Sequence, residues 1–328
     1  MKVAIFNTKP FDRQFLQKAN ARFSHELSFF EPRFTAKTAL LAANDDAICV
    51  FVNDQVDQAA LEILKGSQVR CIALRCAGYD NLDLEMAKAL GLRVVRVPSY
   101  SPHAIAEHAA GLVLALNRKL HKAYNRTRDD NFALQGLLGF DLHGKTVGIV
   151  GTGKIGECFA RIMQGFGCQL LAYDPYPSPV CQDMGVAYVP LEELLARSDV
   201  VSLHCPLIPS TRHIISADSL RHLKRGAMLI NTSRGGLIDT RAVIDAIEDG
   251  VVGYLGLDVY EGEANLFFED LSDTIIKDET FQLLQSFPNV VITPHQAFFT
   301  QEALAAIAQT TLANLADVEQ GNPCPNEL

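Results

Sequence analysis

No stretch of eighteen consecutive apolar residues occurs in this 328-residue chain, so no simple membrane-spanning helix is expected. Even the apolar region after His108 is interrupted by Asn117-Arg118-Lys119. The opening M-K-V-A-I-F-N is too short an apolar run for a secretory signal and reads as a first strand. There is no C-x-x-C, no H-E-x-x-H and no Cys/His cluster at ligand spacing, which leaves a metal site without support. Several of the eight cysteines lie inside apolar strands, as reduced, buried thiols of a cytoplasmic protein would, rather than in a disulfide framework. Positive charge is also scarce: 29 Lys and Arg against 38 Asp and Glu leave a formal charge of −9, which argues against a nucleic-acid or anionic-membrane binder. The basic cluster Arg118, Lys119, Lys122, Arg126 and Arg128 therefore reads as the solvated or subunit-facing side of a helix.

What the chain does have is a core. Its hydrophobic share of 48% and its length suit two ordinary globular domains. Apolar strands at Lys2–Asn7, Glu26–Phe30, Ala47–Asn53, Arg70–Cys76 and Arg93–Val97 alternate with helical segments such as Asp12–Ala21 and Leu82–Leu90. This alternation predicts a parallel sheet covered by helices on both faces. After Pro98-Ser99-Tyr100-Ser101-Pro102, apolar residues recur at helical spacing from Ile105 through Leu116 to Leu120, with Ser101 as N-cap and Pro102 at the first helical position. The small residues on this helix suit an inter-domain connector, a subunit interface or an ordinary core helix.

A second α/β unit follows from Thr146, with later strands at Val200–Cys205, Ala227–Thr232, Gly253–Val259 and Val290–Thr293. The expected fold is two doubly wound parallel-sheet domains with a cleft between them. An Ala-rich helix from Gln301 to Gln320 is expected to return to the first unit. The domains then run 1–100 plus 299–328 and 101–298, with crossings near 99–102 and 296–300 acting as a hinge.

The second unit opens on K-T-V-G-I-V-G-T-G-K-I-G. A buried strand runs straight into Gly151, Gly153 and Gly156: the first for a tight turn, the second for close approach of a pyrophosphate, the third for helix–strand packing. The helix start that follows offers unpaired N–H groups to the phosphate. A second strand, Gln169–Tyr173, ends at Asp174, where a carboxylate can bond an adenosine ribose. That charge repels a 2′-phosphate, and Pro175-Tyr176-Pro177 offers no cation to receive one, so NAD is expected rather than NADP.

Three charged residues fall at or beyond strand ends of this unit: Arg234 in I-N-T-S-R-G, Glu263 after L-D-V-Y-E, and His295 in T-P-H-Q-A. Separately each has an ordinary reading as a surface arginine, a solvated loop acid or a capped loop histidine. Together they match hydride transfer to a 2-keto acid. A guanidinium grips the carboxylate and polarises the carbonyl. An imidazolium gives the proton the new alkoxide needs. A carboxylate beside such an imidazole fixes its tautomer and favours its protonated form.

The ordered set G-T-G-K-I-G, L-H-C-P-L, I-N-T-S-R-G, L-D-V-Y-E-G-E and P-H-Q-A closely resembles the D-isomer-specific 2-hydroxyacid dehydrogenases along essentially the whole chain. A-L-R-C-A-G-Y-D-N-L-D, R-T-R-D-D-N-F, L-F-F-E-D and C-P-N-E-L look most like the bacterial fermentative D-lactate dehydrogenases. The resemblance implies a flavodoxin-like substrate domain, a Rossmann NAD-binding domain and a homo-oligomer, either dimer or tetramer. It makes Arg234 the carboxylate clamp, His295 the proton donor and Glu263 its partner. Backbone amides of Ala77 and Gly78 would help hold the substrate, and Tyr100 and Phe298 would border it. Thr152, Lys154 and Ile155 would join the glycines at the pyrophosphate. Cys205, Pro206, Thr211, Thr232 and Asp258 would line the rest of the cofactor. Many family members carry Val where Cys205 stands, so that thiol reads as an inert small side chain, with a redox role as a minor alternative. The other histidines, His108 and His204 among them, match no catalytic motif position and read as structural. The implied reaction is NADH-dependent reduction of pyruvate to D-lactate; a larger 2-keto acid, hydroxypyruvate, or a non-enzymatic NAD-sensing role are the alternatives.

Overall fold

The computed structural model describes residues 1–328, the Asn265 side chain excepted. The chain forms two compact units, Met1–Ser101 with Phe299–Leu328, and Pro102–Phe298.

The first unit holds β1 (Lys2–Ile5), β2 (Glu26–Phe29), β3 (Ala47–Val50), β4 (Cys71–Leu74) and β5 (Arg93–Arg96), all parallel in the order β2-β1-β3-β4-β5. The central strands read A-I-C-V and C-I-A-L and are buried along their length, as strands covered on both faces must be. On one face Val3, Ile5, Cys71 and Val95 pack with Leu16 of the helix Pro10–Asn20 and with Ala308, Leu312 and Leu315 of the helix Gln301–Gln320. The other face buries Phe6, Phe34, Ile48, Leu61 and Ile72. The chain end is knitted in: Leu328 N–H donates to Val94 O at 2.9 Å, and Glu327 pairs with Arg93 at 2.6 Å.

The second unit is a seven-stranded parallel sheet of β6 (Thr146–Val150), β7 (Gln169–Tyr173), β8 (Ala187–Tyr188), β9 (Val200–Leu203), β10 (Ala227–Asn231), β11 (Val252–Leu257) and β12 (Val290–Ile292). The order β12-β11-β10-β9-β6-β7-β8 reverses between β6 and β9. Open α/β sheets bind ligands beyond the strand ends at such a switch point.

Two expectations change. The helix from Pro102 ends at Arg118 and does not carry on through Leu120. Lys119 takes a left-handed φ of +50°, and Leu120 starts a separate helix, Leu120–Arg128, with its side chain exposed. The break has a visible partner: the buried Asn117 amide donates to Phe140 O at 2.7 Å and accepts Phe140 N–H at 2.8 Å, tying a returning strand of chain to the helix end. The basic cluster is also not merely solvated. Lys119 Nζ donates to Leu138 O at 2.9 Å, Arg126 to Gln135 O at 2.6 Å, and Lys122 to Pro288 O.

Candidate active site

The glycine turn separates into three physical roles. Gly151 has φ +96°, and a Cβ there would lie 2.5 Å from Cys205 N, so both its conformation and its neighbours require glycine. A Cβ on Gly156 would lie 2.1 Å from Gly151 O, because the helix Lys154–Gly165 starts hard against the strand end. Gly153 differs: a Cβ there meets nothing within 4 Å, so no protein contact demands glycine. The space in front of it fits a pyrophosphate approaching the backbone at the helix start.

Asp174 lies just past β7 and already braces this turn. Its Oδ2 accepts Thr152 N–H at 2.7 Å and Thr152 Oγ1–H at 3.2 Å, and its Oδ1 accepts Tyr176 N–H at 2.8 Å. Tyr188 completes the brace by donating its hydroxyl to Thr152 Oγ1 at 2.9 Å. This tyrosine, on the two-residue strand β8, had no sequence motif to reveal it.

Around the switch point, Cys205 and Pro206 follow β9, and Thr211 closes their loop by donating to Pro206 O at 2.6 Å and accepting Ile208 N–H at 2.9 Å. Burial pushes the Cys205 thiol up to about 11, so it stays protonated near neutrality, consistent with an inert side chain. Thr232, after β10, is buried, and its Oγ1 has no hydrogen-bond partner among the described residues. An orphaned hydroxyl at a strand end fits a ligand that supplies the missing bond. His204 is buried against Phe159, with ring centroids 4.8 Å apart, and burial holds its imidazole down at about 3, hence neutral.

Among the three charged residues, His295 and Glu263 form a pair. His295 Nδ1 and Glu263 Oε1 are 2.7 Å apart, and Glu263 Oε2 accepts Tyr260 N–H at 2.8 Å. Tyr260 is pinned by donating its hydroxyl to both oxygens of Asp278, at 3.0 and 2.9 Å. The Phe268 ring lies against the imidazole, with centroids 5.7 Å apart. Arg234 follows β10, and its Nη1 donates to Ser233 O at 2.8 Å. Its neighbour Gly235 lies so close under the Tyr260–Glu261 peptide that a Cβ would come within 2.2 Å of Tyr260 C, which seats the Arg234 turn against the Glu263 loop.

His295 has a left-handed φ of +53°, costly for a residue with a side chain. Asp258, wholly buried, holds the turn by accepting Gln296 N–H at 2.9 Å and Ala297 N–H at 2.8 Å. Thr293 donates its hydroxyl to the same carboxylate. His108 adds its Nε2 at 3.0 Å from Thr293 Oγ1 and 3.3 Å from Asp258 Oδ1. Sequence alone marked Asp258 only as cofactor lining and His108 as structural; their joint hold on the His295 turn spans too much chain to be seen by spacing. Phe298, buried, lies next to the Asp258-bound Ala297.

In the first unit, Ala77 and Gly78 follow β4, and Tyr100 lies beyond β5. Among the described residues no group of three His, Cys, Asp or Glu side chains is arranged to hold a metal ion, and no helix is long and apolar enough to cross a membrane.

Residues 110–297 match the family described as "D-isomer specific 2-hydroxyacid dehydrogenase, NAD binding domain". The chain is 52% identical to the D-lactate dehydrogenase of Escherichia coli (strain K12), over 100% of both chains. The apo-structure of the Escherichia coli D-lactate dehydrogenase superposes with a TM-score of 0.92 at 50% identity, again covering 100% of both. A structure described as the pyruvate reductase of Chlamydomonas reinhardtii reaches a TM-score of 0.94 at 46% identity, over 99% of this chain and 98% of that one. With the Gly-rich turn, the switch-point strand ends and the paired His295 and Glu263 all within the matched span, the chain belongs to the D-isomer-specific 2-hydroxyacid dehydrogenases, and its second unit is their NAD-binding domain.

Proposed function

We propose that this chain is an NAD-dependent D-lactate dehydrogenase, catalysing reversible hydride transfer from NADH to pyruvate. The observation that carries the reading is the 2.7 Å pair of His295 and Glu263, in the same unit as a glycine turn left open at Gly153. When bound, the nicotinamide supplies the hydride. Gly151, Thr152, Gly153, Lys154, Ile155 and Gly156 hold its pyrophosphate, and Asp174 bonds the adenosine ribose. Cys205, Pro206, Thr211, Thr232 and Asp258 line the remainder.

The proton chemistry belongs to His295. Glu263 occupies Nδ1, so that nitrogen keeps its hydrogen through the cycle and Nε2 is the atom that gives the proton to the developing alkoxide. In lactate oxidation the same nitrogen takes it back. Arg234 grips the substrate carboxylate and polarises the carbonyl. The amides of Ala77 and Gly78 hold the carboxylate as well, and Tyr100 and Phe298 limit the space beside the methyl group.

Eight free cysteines, five of them buried, suit a reducing cytoplasm. A homo-oligomer is supported by the exposed Leu120, Tyr124, Phe132, Leu134 and Leu138, which crowd one stretch of the second unit.

The test is NADH oxidation by purified protein over pyruvate, hydroxypyruvate, and branched and phenyl 2-keto acids, with product chirality determined. Highest kcat/KM on pyruvate with D-lactate as product is expected. Preference for a bulkier acid overturns the roles of Tyr100 and Phe298; stoichiometric NADH binding without turnover on any keto acid overturns the enzyme.

A further inference from the structure

The loop after β4, Cys76-Ala77-Gly78, carries the two amides assigned above to the substrate carboxylate, and each of its carbonyls is engaged from behind. Cys76 O accepts Val97 N–H at 3.1 Å. Ala77 O accepts the Arg96 guanidinium at 2.7 Å. Gly78 O accepts the Cys76 thiol at 3.2 Å. A trans peptide is planar, and its N–H points opposite to its C=O. Whatever grips one residue's carbonyl therefore aims the next residue's N–H. Val97 aims the Ala77 amide through main-chain atoms alone, whereas the Gly78 amide is aimed by a single side chain.

That side chain is itself fixed. Arg96 ends β5, where its N–H donates to Asn326 O at 3.0 Å and its C=O accepts the Asn314 amide at 2.8 Å. Its half-buried guanidinium lies over the Tyr79 ring, 5.3 Å from the centroid. A cation hydrogen-bonded to a peptide carbonyl also polarises that peptide, making its N–H a stronger donor.

We propose that Arg96 is a positioning residue for substrate: by gripping the Ala77 carbonyl it orients and polarises the Gly78 amide that receives the carboxylate of the 2-keto acid. The proposal rests on the assignment of Ala77 and Gly78 to that carboxylate. Arg96 touches neither substrate nor cofactor. The carboxylate is present alike in substrate, transition state and product, so the contact acts as uniform binding and its loss appears in KM, not in kcat.

Arg96→Met keeps an apolar stem over Tyr79 and removes the donor. It should raise the pyruvate KM and the inhibition constant of oxamate, a non-reducible analogue with the same carboxylate, together by about tenfold, the size of one lost charge-assisted contact. NADH affinity, read by fluorescence titration, and kcat should stay within about twofold of wild type. Arg96→Lys, which restores a donor without the planar fork, should recover most of the loss. If Arg96→Met does not fold, an intermediate rise in both constants for Arg96→Lys is the expected result. Unchanged pyruvate and oxamate constants in a folded variant overturn the proposal, as does an equal loss in kcat, NADH affinity and melting temperature that lysine fails to rescue. Wild-type protein that reduces no 2-keto acid and binds no oxamate instead overturns the functional reading beneath it.

Discussion

His295 and Glu263 meet at 2.7 Å, and the histidine reaches that contact from a left-handed backbone position. The acid is braced in turn, since its second oxygen accepts the Tyr260 amide. The pair is thus held from both sides, by the Asp258-bound turn under the histidine and by the Tyr260–Asp278 bond under the acid. Such preorganisation matters because a proton donor misplaced by about 1 Å can lose about 100-fold in rate.

Glu263→Gln should lower kcat for pyruvate by about 100-fold, within the range for a disturbed general acid. His295 and Tyr260 bond different carboxylate oxygens, and in glutamine one of these positions becomes an NH2 that cannot accept, so one of the two braces is lost. NADH affinity should be unchanged. Steady-state kinetics beside an NADH fluorescence titration checks both; near-normal kcat contradicts the pairing.

Two glycines of the turn, Gly156 and Gly153, should respond differently to alanine. Gly156→Ala drives a Cβ to 2.1 Å from Gly151 O and should cost about 1–3 kcal/mol of stability, measured by denaturant melts. Gly153→Ala meets no protein atom, so its melting curve should match wild type while NADH binding weakens. A Gly153→Ala protein with normal NADH affinity contradicts the assignment of the pyrophosphate to this turn.

Asp174→Asn keeps one oxygen, able to accept from Thr152 or from Tyr176 but not from both, and removes the charge. The preference for NADH over NADPH should fall by about tenfold, about 1.4 kcal/mol. The ratio of kcat/KM values for the two cofactors reads this directly, and an unchanged ratio removes Asp174 from cofactor discrimination.

Acid should destabilise the fold through His204. Burial holds its folded-state pKa near 3, below the 6.5 of an unfolded chain, so the unfolded state takes up the extra proton between these values. Stability from this group is present above about pH 6.5 and declines as pH falls toward 3. His204→Gln, which keeps a polar partner for Ser202, should flatten this part of the melting-temperature profile between pH 6.5 and 4. Parallel profiles for variant and wild type contradict the assignment.

Much of this fold could be read from apolar runs, because parallel strands buried on both faces have little choice of residue. Their ends were harder to place. Asn7, Asn53, Thr232 and Thr293 lie past the last paired residue of β1, β3, β10 and β12, where the chain leaves the ladder. The strand β8 is too short to leave a pattern. At the site, the three charged side chains and the glycines stood out because they occupy fixed places beside strand ends. The residues that hold them did not. His108 meets Thr293 across 185 positions, and Arg96 grips a peptide nineteen residues before it, so only the folded chain brings those contacts together.

The helix Gln301–Gln320, laid across β4 and β5, sets an order on biosynthesis. Residues 102–298 carry everything their own sheet needs and leave the ribosome before it. The strands near the start of the chain, translated first, wait for that last helix to cover Val3, Ile5 and Cys71. The oldest part of the nascent protein is thus the last to finish folding, and a chain emerged from the ribosome only as far as residue 300 would hold a complete NAD-binding unit and a sheet face covered by the helix Pro10–Asn20 alone, the kind of surface chaperones recognise.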